Sequence, residues 1–248
     1  MSVLNIRNLA LGEGKAKIAV PLVARNETGL RQALALLEHA CFDLVEYRAD
    51  FDEEAGNIDA LLRRLAVVRA ALPDVPLLFT FRTAQEGGEY PCERGYYFEL
   101  NRAVAASGLA DMVDIELGAA DESVQETVAA IKRSGAAVLM SNHDFQATPP
   151  TEEMVSRLKN MARLGADVCK IAVMPQSSAD VLNLLSATQE ARGQIGKPLV
   201  SISMGRLGII SRLCGSVFGS AMTFGAVGQV SAPGQIDSVQ LRRILELL

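Results

Sequence analysis

The chain has 248 residues, 49% hydrophobic and 21% charged, with 24 basic residues against 29 acidic ones for a formal charge of −5. That much apolar material at so small a net charge excludes a disordered chain. The acidic balance argues against a nucleic-acid binder or a protein held on an anionic membrane.

Four cysteines, Cys41, Cys92, Cys169 and Cys214, form no CxxC pair, and the histidines are His39 and His143 alone. Reduced, buried thiols are expected, and a Cys/His metal site is not. The first residues lack a charged-then-apolar signal, and no uncharged apolar run reaches transmembrane length. A soluble cytoplasmic protein is the expectation.

In chain order, residues 3–9 are expected to form a strand ahead of the main fold. Apolar runs suited to strands buried on both faces follow at 17–24, 44–50, 77–82, 112–117, 137–143, 168–174, 199–204 and 221–226. Segments of helical period lie at 28–40, 57–72, 121–134, 151–164, 179–192 and 238–248, with Thr28, Asp121 and Thr151 as candidate caps. Eight such strands in about 250 residues fit a single α/β domain over residues 1–248, a (β/α)8 TIM barrel. The N-terminal strand, or a hairpin containing it, would cover the lower end. A doubly wound open sheet alternates in the same way, but no GxGxxG follows the first strand.

Barrel chemistry gathers at the carboxyl ends of strands. Those ends carry Glu46 and Arg48, Arg82 with Glu86, Asp114 and Glu116, His143, Lys170, Met204 and Phe224. Arg212 follows the seventh run, and Ser231 and Gln235 follow the eighth. Period-two geometry puts Glu46 with Arg48, and Ser141 with His143, on one face.

Of six lysines, Lys170 alone stands inside an apolar strand. Lost hydration there favours the neutral amine, which is the form that attacks a carbonyl. The strand context leaves a second reading open, an ordinary buried ion pair with Asp114 or Glu116. His143 suits proton exchange near neutrality, with Glu86 as an orienting acceptor; His39 reads as structural. Arg48, Arg82 and Arg212 can grip a carboxylate with both arms of the fork, whereas Arg25, Arg63, Arg64, Arg242 and Arg243 look like solvated charge. The glycines in 203–208 and 225–228 leave a phosphorylated substrate open on spacing alone.

Asp114-Ile-Glu-Leu117, a gap of twenty residues, and Val138-Leu-Met-Ser-Asn-His-Asp144 together resemble the signature of the type I 3-dehydroquinate dehydratases. Residues 79–88, 170–175, 208–212, 218–225 and 231–235 agree with the same family, so the resemblance runs from about Glu13 to the C-terminus. It implies a shikimate-pathway lyase on a (β/α)8 barrel, dehydrating 3-dehydroquinate to 3-dehydroshikimate without metal or organic cofactor. By the same resemblance Lys170 forms the Schiff base, His143 is the general acid/base and Glu86 supports it. Arg212 takes the substrate carboxylate, Glu46, Arg48, Arg82, Ser231 and Gln235 touch substrate, and Met204 and Phe224 line the pocket. The family also implies a homodimer. Pro21 stands where some relatives have a substrate-touching serine, so that contact is not carried over, and Tyr47 stands where some have tryptophan, a departure expected to change packing rather than chemistry. Two other readings compete: a class I aldolase or transaldolase-like Schiff-base barrel, and a non-catalytic barrel that binds a small carboxylate.

Overall fold

The computed structural model describes residues 3–118, 122–228 and 231–248. The chain opens with an antiparallel hairpin, β1 (Leu4–Ile6) and β2 (Leu9–Leu11), the hairpin form of the N-terminal element expected from sequence. Parallel strands then alternate with helices: β3 (Lys17–Leu22), α1 (Glu27–Leu36), β4 (Leu44–Arg48), α2 (Ile58–Ala71), β5 (Leu77–Thr80), α3 (Arg94–Ser107), β6 (Met112–Glu116) and α4 (Glu122–Arg133). They continue with β7 (Ala137–Asp144), α5 (Thr151–Arg163), β8 (Val168–Val173), α6 (Ser178–Gln194), β9 (Leu199–Ser203), α7 (Ile209–Phe218), β10 (Met222–Ala226), a short β11 (Ile236–Asp237) and α8 (Ser238–Leu247).

Neighbouring strands from β3 to β9 pair in sequence order, and β10 returns to pair with β3. The ring closes between β9 and β10 through one bridge, Leu199 with Ser220, and an Ala221 N–H donated to the Leu199 carbonyl at 2.7 Å. This is the expected (β/α)8 barrel.

Alternation along each strand sorts residues between two cores. Val45 and Tyr47, Val113 and Ile115, Val138 and Met140, and Cys169 and Ile171 face outward into one apolar cluster with the helices. The inward positions change character with height. Leu44, Leu78, Met112, Leu139, Val168, Val200 and Met222 form an apolar plug at the amino-terminal end, sealed by Leu9 and Leu11 of the hairpin. Two and four residues further up the same faces stand Glu46 and Arg48, Asp114 and Glu116, Ser141 and His143, and Lys170. All except His143 are among the buried polar residues.

The lower rim repeats one device. Asp43, Asp111 and Asp167 each precede an even-numbered strand and donate their backbone N–H to a carbonyl of the strand before, Ile18, Leu77 and Val138, at 2.8–2.9 Å. Each carboxylate accepts the N–H of that same residue, at 2.7, 2.9 and 3.1 Å respectively. A cation completes each ring: Arg242 on Asp43, Arg69 and Arg7 on Asp111, Lys132 on Asp167. In the last quarter a hydroxyl substitutes, since Ser220 Oγ accepts the Ser201 N–H at 3.1 Å.

Some local expectations need correction. The cap of α1 is Asn26, whose side chain accepts from Gly29 N–H, because the helix begins before Thr28. Thr151 lies inside α5 behind Pro150, and its hydroxyl points instead toward the Asn183 carbonyl. Asp121, the other expected cap, lies outside the described residues. Helix α3 has no counterpart among the segments marked by periodicity. Its buried face includes the polar Asn101, whose amide donates to the Tyr97 carbonyl, and this blurs the apolar pattern. The cysteines are free, but only Cys169 is buried; the other three are half-exposed. Arg64 and Arg242 are not solvated charge either: Arg64 is largely buried and bridges Glu27, Asp52 and Glu54, and half-buried Arg242 pairs with Asp43.

Candidate active site

At the carboxyl-terminal mouth, one cleft is lined by Glu46, Arg48, Arg82, Glu86, His143, Lys170, Met204, Arg212, Phe224, Ser231 and Gln235. Every site residue expected from sequence is therefore in one place. Pro21 is absent from the lining, and Tyr47 lies in the outer core, its ring 6.1 Å from that of Phe79.

Two of the three arginines are already engaged. Arg48 is clamped by Asp50, with Nε to Oδ1 and Nη2 to Oδ2 both at 2.8 Å, and its Nη1 donates to the Ser231 carbonyl at 3.3 Å. Arg82 donates from Nη1 to Glu116 and to the Ser141 hydroxyl at 2.9 Å, and from Nη2 to Asp114. Ser141 closes that network by donating to Asp114 at 2.6 Å.

Asp114 and Glu116 are thus committed to Arg82, which removes the ion-pair reading of Lys170. No carboxylate among the described residues lies within 4.0 Å of its Nζ, which sits 4.4 Å above the centre of the Phe224 ring. Burial pushes its ammonium below the ordinary lysine range, against an opposing pull from Glu46 and Asp114.

Arg212, 2% exposed, is the third arginine. It donates from Nη2 to the Pro233 carbonyl at 2.8 Å, while Nε and Nη1 have no partner among the described residues. Burial lowers its pKa to about 10. A buried guanidinium with idle donors is costly unless an acceptor arrives.

His143 ends the inward face of β7. Its Nδ1 lies 2.9 Å from Glu86 Oε2, which also accepts the His143 backbone N–H at 3.0 Å. With Nδ1–H donated to the carboxylate, Nε2 keeps its lone pair. Burial, with Arg82, Lys170 and Arg48 nearby, holds the imidazole well below its ordinary 6.5 and favours the neutral ring. Phe145 stacks on the ring at 6.4 Å between centroids. Gly87 makes room for Phe145, since a Cβ there would run into the phenyl ring.

Sequence reasoning missed Asp50 and Phe145. Asp50 had a signal, a carboxylate two residues past a strand-end arginine; Phe145 had none beyond following His143-Asp144. Gly208 after β9 and Gly225 near the end of β10 have a packing reason: a Cβ on Gly208 would strike the Ser203 carbonyl, and one on Gly225 would crowd Ser238.

A (β/α)8 barrel whose mouth holds an unpaired buried amine, a neutral imidazole and a guanidinium with free donors belongs to the class of barrels that activate carbonyl compounds. A family model described as type I 3-dehydroquinase matches residues 18–248, and the chain belongs to that family. It is 53% identical over 245 residues to the 3-dehydroquinate dehydratase of Neisseria gonorrhoeae (strain NCCP11945), covering 99% of this chain and 96% of that one. It is 46% identical over 249 residues to the enzyme of the same name from Salmonella typhimurium, covering 100% and 99%. A solved type I 3-dehydroquinate dehydratase from Clostridium difficile, with covalently modified comenic acid, superposes with a TM-score of 0.96 at 45% identity, covering 99% and 97%.

Proposed function

We propose that this cleft dehydrates 3-dehydroquinate to 3-dehydroshikimate through an imine on Lys170. The overall reaction is that of the type I 3-dehydroquinases, lyases of the shikimate pathway; the residue roles are our own reading. The observation that carries it is the buried Lys170 amine, without an ion-pair partner among the described residues, in the same cleft as His143 and Arg212.

Lys170 adds to the substrate ketone and water leaves, giving an iminium that draws electrons from the adjacent carbon. His143 Nε2 takes a proton from that carbon, and the pair left behind forms an enamine. The enamine expels the hydroxyl one carbon further on, and His143 returns its proton to the departing oxygen, so water is released. Hydrolysis of the product imine frees Lys170. Arg212 receives the substrate carboxylate on its idle donors, Arg48 and Arg82 present a rigid polar wall, and Ser231 and Gln235 close over the ligand. Those two are mutually braced by the Ser231 N–H to Gln235 Oε1 and Gln235 Nε2 to Ser231 Oγ bonds, at 3.0 and 3.1 Å.

Borohydride added during turnover traps such an imine. Peptide mapping by mass should find the reduced adduct on the Lys170 peptide; an adduct on another lysine, or full activity after treatment, overturns the assignment.

The family's homodimer is also our inference for this chain. It is supported by Leu207, Ile210 and Val217, exposed at helical spacing on and before α7. Light scattering on the wild type and Ile210→Glu tests it, with a fall to monomer mass expected in the variant. No described helix is long and apolar enough to cross a membrane; cytoplasmic residence is the location we infer.

A further inference from the structure

The base of the site does not end at Glu86. While Oε2 faces His143, Glu86 Oε1 accepts from Asn142 Nδ2 at 3.2 Å. Asn142 lies between Ser141 and His143 on β7, half-buried, and its Oδ1 accepts from Arg157 Nη1 of α5 at 2.7 Å. The outer arm of Arg157 pairs with Glu153 one turn earlier on the same helix.

A primary amide has one donating and one accepting end, and a guanidinium can only donate. Arg157 therefore decides which way the amide faces. With Oδ1 held by Arg157, the NH2 end must point at Glu86, and a donor in that position favours the carboxylate over the carboxylic acid. This matters because of what surrounds the group. Burial draws Glu86 toward protonation, as do Glu116 and Asp114 on β6, while Arg82, whose Nη1 is 3.6 Å from Oε2, opposes it. Lys170 on β8 and Arg48 on β4 act on the imidazole side. Were Glu86 protonated, its O–H would donate to Nδ1, the ring proton would move to Nε2, and the pocket would lose its base.

We propose that Arg157 and Asn142 are positioning residues for the proton transfer, holding Glu86 ionised and His143 in the Nδ1–H tautomer from outside the cleft. This rests on the reading of His143 as the acid/base. Neither residue touches the cleft, so the effect acts through Glu86.

The experiment is the pH profile of kcat/KM for Arg157→Met, Arg157→Lys and Asn142→Ser, with 15N spectra of the histidine ring nitrogens. In Arg157→Met the acid limb should move up by about one pH unit, with a deficit of roughly 10-fold near pH 6 that closes toward pH 9. KM should hold, and the His143 signals should shift toward the Nε2–H form. Arg157→Lys, which still donates to Oδ1, should restore most of the profile. Asn142→Ser carries the same expectation as Arg157→Met without disturbing the pair on α5, and serves if Arg157→Met does not fold. A deficit equal at all pH values, or an unchanged profile and unchanged ring spectra, overturns the inference. His143→Ala separates the two levels. Full turnover in that variant removes the acid/base reading itself, whereas an inert His143→Ala beside an unshifted Arg157→Met removes only the positioning role.

Discussion

The two ends of the barrel use the same side chains for opposite purposes. At the lower rim, Asp43, Asp111 and Asp167 each receive a backbone N–H and at least one cation, so each of these carboxylates is matched within the protein. At the mouth the matching is selective. Arg48 and Arg82 are engaged by Asp50, Asp114 and Glu116, while among the described residues the Lys170 amine has no ion-pair partner and Nε and Nη1 of Arg212 have no hydrogen-bond partner. Completed networks hold the frame, and incomplete ones mark what the ligand must bring. The leftover groups are an amine that can attack a ketone and a fork that fits a carboxylate.

The contrast can be broken most forcefully at Lys170. Lys170→Met should abolish nearly all turnover and yet stabilise the fold by about 1–3 kcal/mol, as when a buried charge gives way to apolar volume. The folded pKa of Lys170 lies below the ordinary 10.5, so the unfolded chain binds the extra proton between the two values. Lys170 therefore costs stability at neutral pH, and the cost fades as pH rises through that window. Denaturant unfolding at several pH values checks it: the gain in Lys170→Met should shrink on the alkaline side, and a loss of stability at neutral pH would contradict the account.

Arg212 comes next. Charged hydrogen bonds are worth about 1.5–3 kcal/mol, so Arg212→Ala should raise KM roughly 10–150-fold. Arg212→Lys should recover only part of that, keeping the charge without the planar fork. Steady-state kinetics read both.

Asp111→Ala sharpens the comparison from the other end. It removes the carboxylate shared by Arg69 and Arg7, which keep only backbone carbonyl acceptors, leaves the Leu77 N–H without that acceptor, and should cost roughly 1–3 kcal/mol of stability. Its kcat and KM, measured well below the melting temperature, should stay at wild-type values. A large kinetic effect there would mean that the two ends are not independent.

Much of this was legible in the residue order. Barrel strands announce themselves as apolar runs, and a polar residue near the carboxyl end of such a run has few places to point except the cleft; Lys170 and His143 stand out for that reason. What stayed hidden depends on partners remote in sequence. Lys170 escapes an ion pair only because Arg82 occupies Asp114 and Glu116, a competition no spacing reveals. Helix α3 hides behind Asn101, and the cap of α1 at Asn26 was masked by an equally plausible Thr28 two residues on. Gly208 and Gly225 left a phosphorylated substrate open because nothing in the sequence shows a carbonyl or a serine where their side chains would be.

The aspartate rings also divide the barrel into two-strand modules, β3–β4, β5–β6 and β7–β8, with a lone serine hydroxyl in the fourth. The ring of strands therefore has a seam, at β9 and β10, where a single bridge completes the circle. Fluctuations that open the native state should start at this seam, and amide hydrogens of β9 and β10 should exchange with solvent sooner than those of β4 to β8. Lys170 lies on one side of β9 and Arg212 follows it, so a ligand held by both spans the strand that borders the opening. Substrate is then a fastener as well as a reactant, and a bound carboxylic-acid analogue should slow exchange there more than anywhere else in the sheet.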